Sequence, residues 1–220
     1  MRLKGVAGAL SKPHVYAWEK EYRTGRGRWR GTTNFELKLP KKSRVLEVGC
    51  GNGKHLSALI DKGFEVYAID VSPSAVKLAK ELAEFHKAAA TIAVGDACSM
   101  DFRNDFFDAV FLFHVIGHLS ETERRAAVAE AFRVLRKGGR CYFRGFAEGD
   151  LRYGKGKEVE KATFRRGTNV WVHYFSAGEA RDLFGAAGFV TEELGTEKWH
   201  VWFRGKPYER REIRGIFKKA

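Results

Sequence analysis

Short apolar runs alternate with segments of helical period along most of this chain. Val45, Leu46 and Val48 form one run that leads into a glycine-rich turn, and EVYAID and TIAV repeat the pattern further on. The intervening SPSAVKLAKELAEFHK spaces its apolar residues for a helix, with Ser72 as the cap and Pro73 at the first helical position. FDAVFLF is a fourth run and RCYF a fifth. Between them, SETERRAAVAEAFRVLRKGG predicts a helix that starts in a capping box, Ser120 with Glu123 three residues on, and ends at Gly138 and Gly139. This alternation from Arg44 to about Phe146 implies an α/β chain with a doubly wound, Rossmann-like parallel sheet. SAGEARDLFGAAGF predicts one more capped helix, followed by strands near Val190–Leu194, Trp199–Arg204 and Glu212–Lys218 that would close an antiparallel C-terminal edge.

The pattern suits one domain over residues 1–220 with four parts: an N-terminal helical extension or lid (1–40), a core (43–146), an insertion (147–176), and a C-terminal helix with strands (177–220). In the extension, Trp18 and Tyr22 fall four apart and so share one helix face. Ligands of an open α/β sheet bind beyond the carboxyl ends of its strands, and an insertion after the fifth strand can roof such a site. That makes the aromatic and basic stretch EGDLRYGKGKEVEKATFRRGTNVWVHYF the candidate for substrate recognition.

The turn after the first strand reads EVGCGNGKH. A nucleotide-triphosphate loop needs a hydroxyl residue after Gly-Lys, where this chain has His55, and a glycine five before Gly53, where it has Val48. A dinucleotide fingerprint needs its third glycine at the position held by Lys54. What remains is ExGxGxG, with Glu47, Gly49, Gly51 and Gly53 spaced by two. Such a turn suits an amino-acid tail, a sulfonium and a nucleoside: Gly49 and Gly51 let a ligand approach the backbone, and Glu47 can accept from an ammonium. Asp70 ends the second strand, where an acidic residue grips a ribose diol, and Asp96 ends the third, where it can accept from an adenine amino group.

Taken together, VLEVGCGNG, Asp70, GDA, FDAVFLFHVIGHL and RVLRKGGRCYF resemble the class I S-adenosylmethionine-dependent methyltransferases, from Ser43 to about Phe146. The resemblance implies S-adenosyl-L-methionine as cofactor. A narrower likeness joins WEKEY with RWRG, FRGF followed by GDLRYG, TFRRGTNVWVHYF and the short, basic final strand REIRGIFKK: these are similar to the tRNA 3-methylcytidine branch of the methyltransferase-like proteins. The resemblance implies that Trp18 and Tyr22 close over the cofactor and that Gly49, Asp70, Asp96, Ala97 and Phe113 contact it. Glu47, Cys50, Gly51, Gly53 and Val71 complete the expected cofactor site. Arg152, Arg166 and Tyr174 would face RNA, with Arg144 beside them. The branch has Arg-Asp after the fifth strand, whereas this chain has Arg144 and Gly145, so Asp150 is the candidate replacement carboxylate. His114 and His118 follow the fourth strand, near where acceptors sit; wall and acid/base roles both stand open, and His118 joins Asp150 as a catalytic candidate.

Forty basic against 27 acidic residues leave a net charge of +13, an attraction for polyanions that suggests nucleic acid as partner. The resemblance to the tRNA branch implies RNA, with tRNA as the substrate and N3 of cytidine as the candidate atom. A charged thermophilic surface is the bland alternative, but it explains many charges and not their imbalance. Three scattered cysteines indicate neither a disulfide framework nor a metal site. The absence of any apolar run of membrane-spanning length or leader-like start gives the expectation of a cytoplasmic chain, taken as a monomer. A small-molecule methyltransferase and a catalytically silent, RNA-binding or partner-activating form of the fold are the competing readings.

Overall fold

The computed structural model describes residues 6–25, 37 and 39–220, and RWRG lies outside them. Among the described residues, seven strands form the main sheet: β1 (Arg44–Val48), β2 (Glu65–Asp70), β3 (Ala90–Val94), β4 (Phe107–Phe113), β5 (Leu135–Phe146), β9 (Phe189–Phe203) and β10 (Lys206–Lys219). Their spatial order is β3-β2-β1-β4-β5-β10-β9. The first five pair in parallel, whereas β10 runs antiparallel to both β5 and β9. The order reverses between β1 and β4, so the crevice beyond their carboxyl ends is the place where such a sheet holds a ligand.

Both faces of the sheet are buried, which is why its central strands read as continuous apolar runs. Leu46, Val48, Val110 and Leu112 face one core, with α5 (Glu121–Val134) and α6 (Ala177–Ala186). Val45, Ala109, Phe111 and Phe113 face the other, with α3 (Leu56–Asp61) and α4 (Pro73–Phe85). The expected caps are present: the hydroxyl of Ser72 accepts from the Ala75 amide, that of Ser176 from the Glu179 amide, and Ser120 and Glu123 make the full capping box.

Two expectations are corrected. The helix opened by Ser120 ends at Val134, because Leu135 is extended and buried beside Phe107; Gly138, with φ +76°, turns the chain within β5 instead of ending the helix. The strands expected at Val190–Leu194 and Trp199–Arg204 are one strand, β9, and the final strand is 14 residues long. The polar stretch around Gly195 reads locally as a break, yet it pairs residue for residue with β10, whose backbone partners override the local signal.

The two segments outside the scaffold pack on each other. Residues 147–176 carry a three-stranded antiparallel sheet of β6 (Lys157–Glu160), β7 (Thr163–Arg165) and β8 (Trp171–His173). Its Phe164, Val172 and Tyr174 form a small core with Ala17 and Trp18 of α2 (Pro13–Arg23), which follows the short α1 (Val6–Leu10). Burying each such large apolar side chain contributes about 1.5–3 kcal/mol, enough to hold an 11-residue helix that could not stand alone. Among the described residues, no helix is long and apolar enough to cross a membrane.

Candidate active site

The glycine turn after β1 sits against the end of β2. Asp70 closes that gap with one carboxylate: Oδ2 accepts from the Gly51 amide at 2.9 Å, and Oδ1 accepts from the Ser72 amide at 2.9 Å. Burial pushes the Asp70 carboxyl up to about 6; these two amides oppose the shift, while the charges of Glu47 and Glu19 add to it. Gly49 and Gly51 have φ of +71° and +56°. A Cβ at Gly49 would meet the Val115 side chain, and one at Gly51 would meet the Tyr22 hydroxyl. Both glycines are required by close approach as well as by backbone conformation.

Helix α2 crosses over this turn and is fastened at two points. Glu19 accepts from the hydroxyl of Ser72 at 2.5 Å, the hydroxyl of Ser74 at 2.7 Å and the amide of Ser74 at 3.2 Å, which ties α2 to the start of α4. At the other end, Lys12 and His14 contact the Glu123 carboxylate at 2.5 and 2.9 Å, and the His14 ring stacks on Trp171 with centroids 4.3 Å apart. Burial would raise the Glu123 carboxyl, but hydrogen bonds from His14, Lys12 and Ser120 hold it far below the usual range.

Under α2 lies a cavity of about 530 Å³, within the range of small-molecule sites. Most residues singled out from the sequence line it: Trp18, Tyr22, Gly49, Cys50, Gly51, Asp70, Val71, Asp96, Ala97, Phe113, His118, Arg152, Arg166 and Tyr174. The indole Nε1 of Trp18 is buried without a hydrogen-bond partner, and its ring meets His118 edge-on at 4.5 Å. The His118 Nδ1 lies 2.7 Å from the Trp171 carbonyl, which makes it the protonated nitrogen of a neutral ring. Burial pulls the His118 pKa down to about 4, although the carbonyl works against that shift. Across the cavity, burial also pulls His114 down to about 3, with the charges of His118 and His55 adding to the effect.

Four expected site residues stand outside the lining, and each has another task. Glu47 is buried behind the turn, with Oε1 3.2 Å from His55 Nδ1 and Oε2 unpaired. Gly53 makes room for α4: a Cβ there would lie 2.8 Å from the Leu82 side chain. Arg144 stacks over Phe113 at 4.8 Å and faces Glu212, so it supports the wall from behind. Asp150, expected as a base-contacting carboxylate, has both oxygens engaged within the protein. Its Oδ1 accepts from the Arg152 amide at 3.1 Å, and its Oδ2 accepts from Arg210 Nε at 2.7 Å and from the Arg211 amide at 3.0 Å. A side chain so enclosed organises the loop and Arg210 and stands outside the cavity lining.

Arg210 and Trp199 line the cavity and were missed, as were Asn52, Val115 and Leu119. Arg210 pairs directly with Trp199 across β10 and β9, and its guanidinium lies 5.0 Å over Phe146 and 5.6 Å from the Trp199 ring. The signal available was the run REIRGIFKK and the residues just before it, a basic strand without an assigned face. Among the described residues no group of side chains could hold a metal ion. The turn, Asp70 and Asp96 make one end of the cavity fit for a nucleoside with an amino-acid tail; His114, His118, Tyr174 and the arginines form the other end.

A family profile described as a methyltransferase domain matches residues 46–143. O-methyltransferase 3 of Dictyostelium discoideum is 28% identical over 190 residues, covering 76% of this chain and 44% of that protein. The tRNA N(3)-cytidine methyltransferase METTL2 of Mus musculus is 29% identical over 156 residues, covering 66% of this chain and 40% of that protein. The chain thus spans less than half the length of these two relatives. A solved structure of an S-adenosylmethionine-dependent methyltransferase from Methanosarcina mazei superposes with a TM-score of 0.71 at 23% identity, over 83% of this chain and 94% of that one, a likeness of fold.

Proposed function

From the premise that this chain belongs to the class I S-adenosylmethionine-dependent methyltransferases, we propose that it methylates a base in RNA, with tRNA as the substrate and N3 of cytidine as the acceptor atom. S-adenosyl-L-methionine supplies an electrophilic methyl group on a sulfonium. Asp70 would accept from the ribose hydroxyls, Asp96 from the adenine amino group, and the turn at Gly49 to Gly51 would lie along the amino-acid tail. Trp18 and Tyr22 would cover the cofactor and exclude water from the transfer. N3 of cytosine carries a free lone pair at neutral pH, so positioning does the main work and a strong base is not required. A neutral His118 fits that demand as a hydrogen-bonding wall, not as a proton carrier.

The observation that carries the RNA reading is the β9–β10 hairpin. Trp199 and Arg210 on one of its faces line the cavity, and the hairpin runs on past the sheet, where Lys198, His200, Trp202, Arg204, Lys206 and Tyr208 are exposed. Trp202 is 72% exposed, so its indole face is available for stacking. Basic residues interleaved with aromatics suit a nucleic-acid strand, and the net charge of +13 attracts one. The test is tRNA affinity measured against salt: it should fall steeply, and Lys198→Ala or Lys206→Ala should each reduce the logarithmic slope by about one unit. Affinity without salt dependence would count against the reading.

A second reading, a small-molecule methyltransferase, is favoured by the apolar part of the cavity lining, to which Val15 of α2 and Val170 and Val172 of the insertion all contribute. The Dictyostelium relative carries a name of that class. The exposed basic hairpin has no use in that reading.

A further inference from the structure

We propose that Arg152, Arg166 and Arg210 form a phosphate-binding subsite at the acceptor end of the cavity, which takes the phosphate adjoining the methyl-accepting base. The proposal rests on the reading of the acceptor as a nucleotide and gives that acceptor a required anionic group. The three arginines come from the loop after β5, the turn after β7 and the hairpin strand β10, and all three line the same cavity.

Their charges are poorly compensated. Among the described residues, the one carboxylate bonded to any of the three is Asp150, through Arg210 Nε at 2.7 Å. Arg166 spends Nη2 on neutral oxygens, the Tyr174 hydroxyl at 3.0 Å and the Arg152 carbonyl at 3.4 Å, while its Nε is buried without a partner. The Arg152 guanidinium makes no hydrogen bond or ion pair among the described residues; only its amide is engaged, by Asp150. Three cations of which one is bonded to a carboxylate leave guanidinium donors free for an anion, although Glu21, Asp70, Asp96 and Glu123 line the same cavity. Arg152 and Arg166 are half-buried; a partly desolvated charge without a partner is costly, and a bound anion removes that cost.

The mutual repulsion is visible in Arg152 itself, which burial and then the charges of Arg210 and Arg166 hold below the ordinary arginine value. Planar guanidinium forks match the oxygens of a phosphate two at a time, so three of them from different elements define a position as well as a charge. Phe146, Tyr174 and Trp199 line the cavity beside them, which gives an attached base apolar faces to lie against. This internal cradle is distinct from the exposed basic residues of the hairpin, whose attraction for RNA is long-range and screened by salt.

The experiment is calorimetry on the full chain saturated with S-adenosylhomocysteine, titrated with cytidine, cytidine 5′-monophosphate, cytidine 3′-monophosphate and O-phosphoethanolamine. At least one cytidine monophosphate should bind about tenfold or more tightly than cytidine, as a charge-assisted contact implies. Arg166→Ala and Arg152→Ala should each erase most of that margin while S-adenosylhomocysteine affinity is kept, and Arg166→Lys should keep part of it. Equal binding of nucleoside and nucleotides, no binding of any of them, or a margin that survives in both alanine variants would overturn the subsite. Phosphoethanolamine binding as well as the nucleotides would uphold the phosphate subsite and assign it to a free phosphorylated metabolite. Methylation of tRNA, read separately, tells a failed subsite from a failed RNA reading.

Discussion

The hydroxyl of Tyr22 occupies the space that a side chain on Gly51 would need. Helix α2 and the glycine turn are therefore fitted to each other at one atom, so the lid proposed above is built against the turn proposed to bind the cofactor. Gly51→Ala places a β-carbon in a left-handed conformation, which costs about 1 kcal/mol, and also pushes Tyr22 away. We expect a cofactor affinity lowered at least tenfold, part of which Tyr22→Ala restores in the double variant. Additive losses in a calorimetric double-mutant cycle would show that the two residues act separately.

The anchoring of α2 makes a second prediction. Glu19 holds two hydroxyls and an amide at the start of α4, and although burial raises its carboxyl, the serine hydrogen bonds win and lower it. A lowered folded pKa means that this anchor is present above the ordinary carboxylate range and is lost as pH falls through the folded value. Glu19→Ala should loosen α2, expose the Arg23–Gly25 region to limited proteolysis and weaken cofactor binding, with the main sheet intact by circular dichroism. Unchanged proteolysis with unchanged affinity would refute the anchor.

Asp70 predicts a pH dependence of the opposite sign. Its folded pKa, raised to about 6, lies above the unfolded value, so the folded cofactor-free chain binds the extra proton and Asp70 costs stability as pH rises through that window. Ribose hydroxyls donate to the ionised form, so cofactor affinity should rise as pH climbs from about 5 to 7, with proton release on binding inside that window. Asp70→Asn should bind weakly and show no such rise. A wild-type affinity flat across this range would contradict the role given to Asp70.

Asp150 and Arg210 should behave as one unit. Removing one partner of a buried ion pair typically costs about 3–5 kcal/mol, because the other charge is left unpaired. Asp150→Asn should therefore lower the melting temperature as well as methyl transfer, and adding it to Arg210→Ala should cost little more than Arg210→Ala alone. A loss of turnover at full stability would restore Asp150 as a catalytic carboxylate.

The sheet and its helix starts were legible because both signals are local: a run buried on both faces, as in β4, and a hydroxyl before a helix, as at Ser72 and Ser120. The part of the cavity lined by Gly49, Gly51, Asp70 and Asp96 was legible for the same reason, since each sits at the end of a recognisable strand. The acceptor end is made by distant contacts. Arg210 reaches the cavity only because β10 turns back along β5 and β9, and Asp150 is withdrawn from it only because it meets that strand 60 residues later. The merged β9 was hidden likewise, since its continuity depends on the partner strand.

Methyl transfer itself is tested most directly by incubating the protein with bulk tRNA and isotope-labelled S-adenosylmethionine, then digesting the tRNA and identifying labelled nucleosides by mass spectrometry. The account predicts a labelled methylcytidine with the methyl on N3, lost in Asp70→Ala and strongly reduced in Arg166→Ala. Label found in a small metabolite and in no tRNA nucleoside would contradict it.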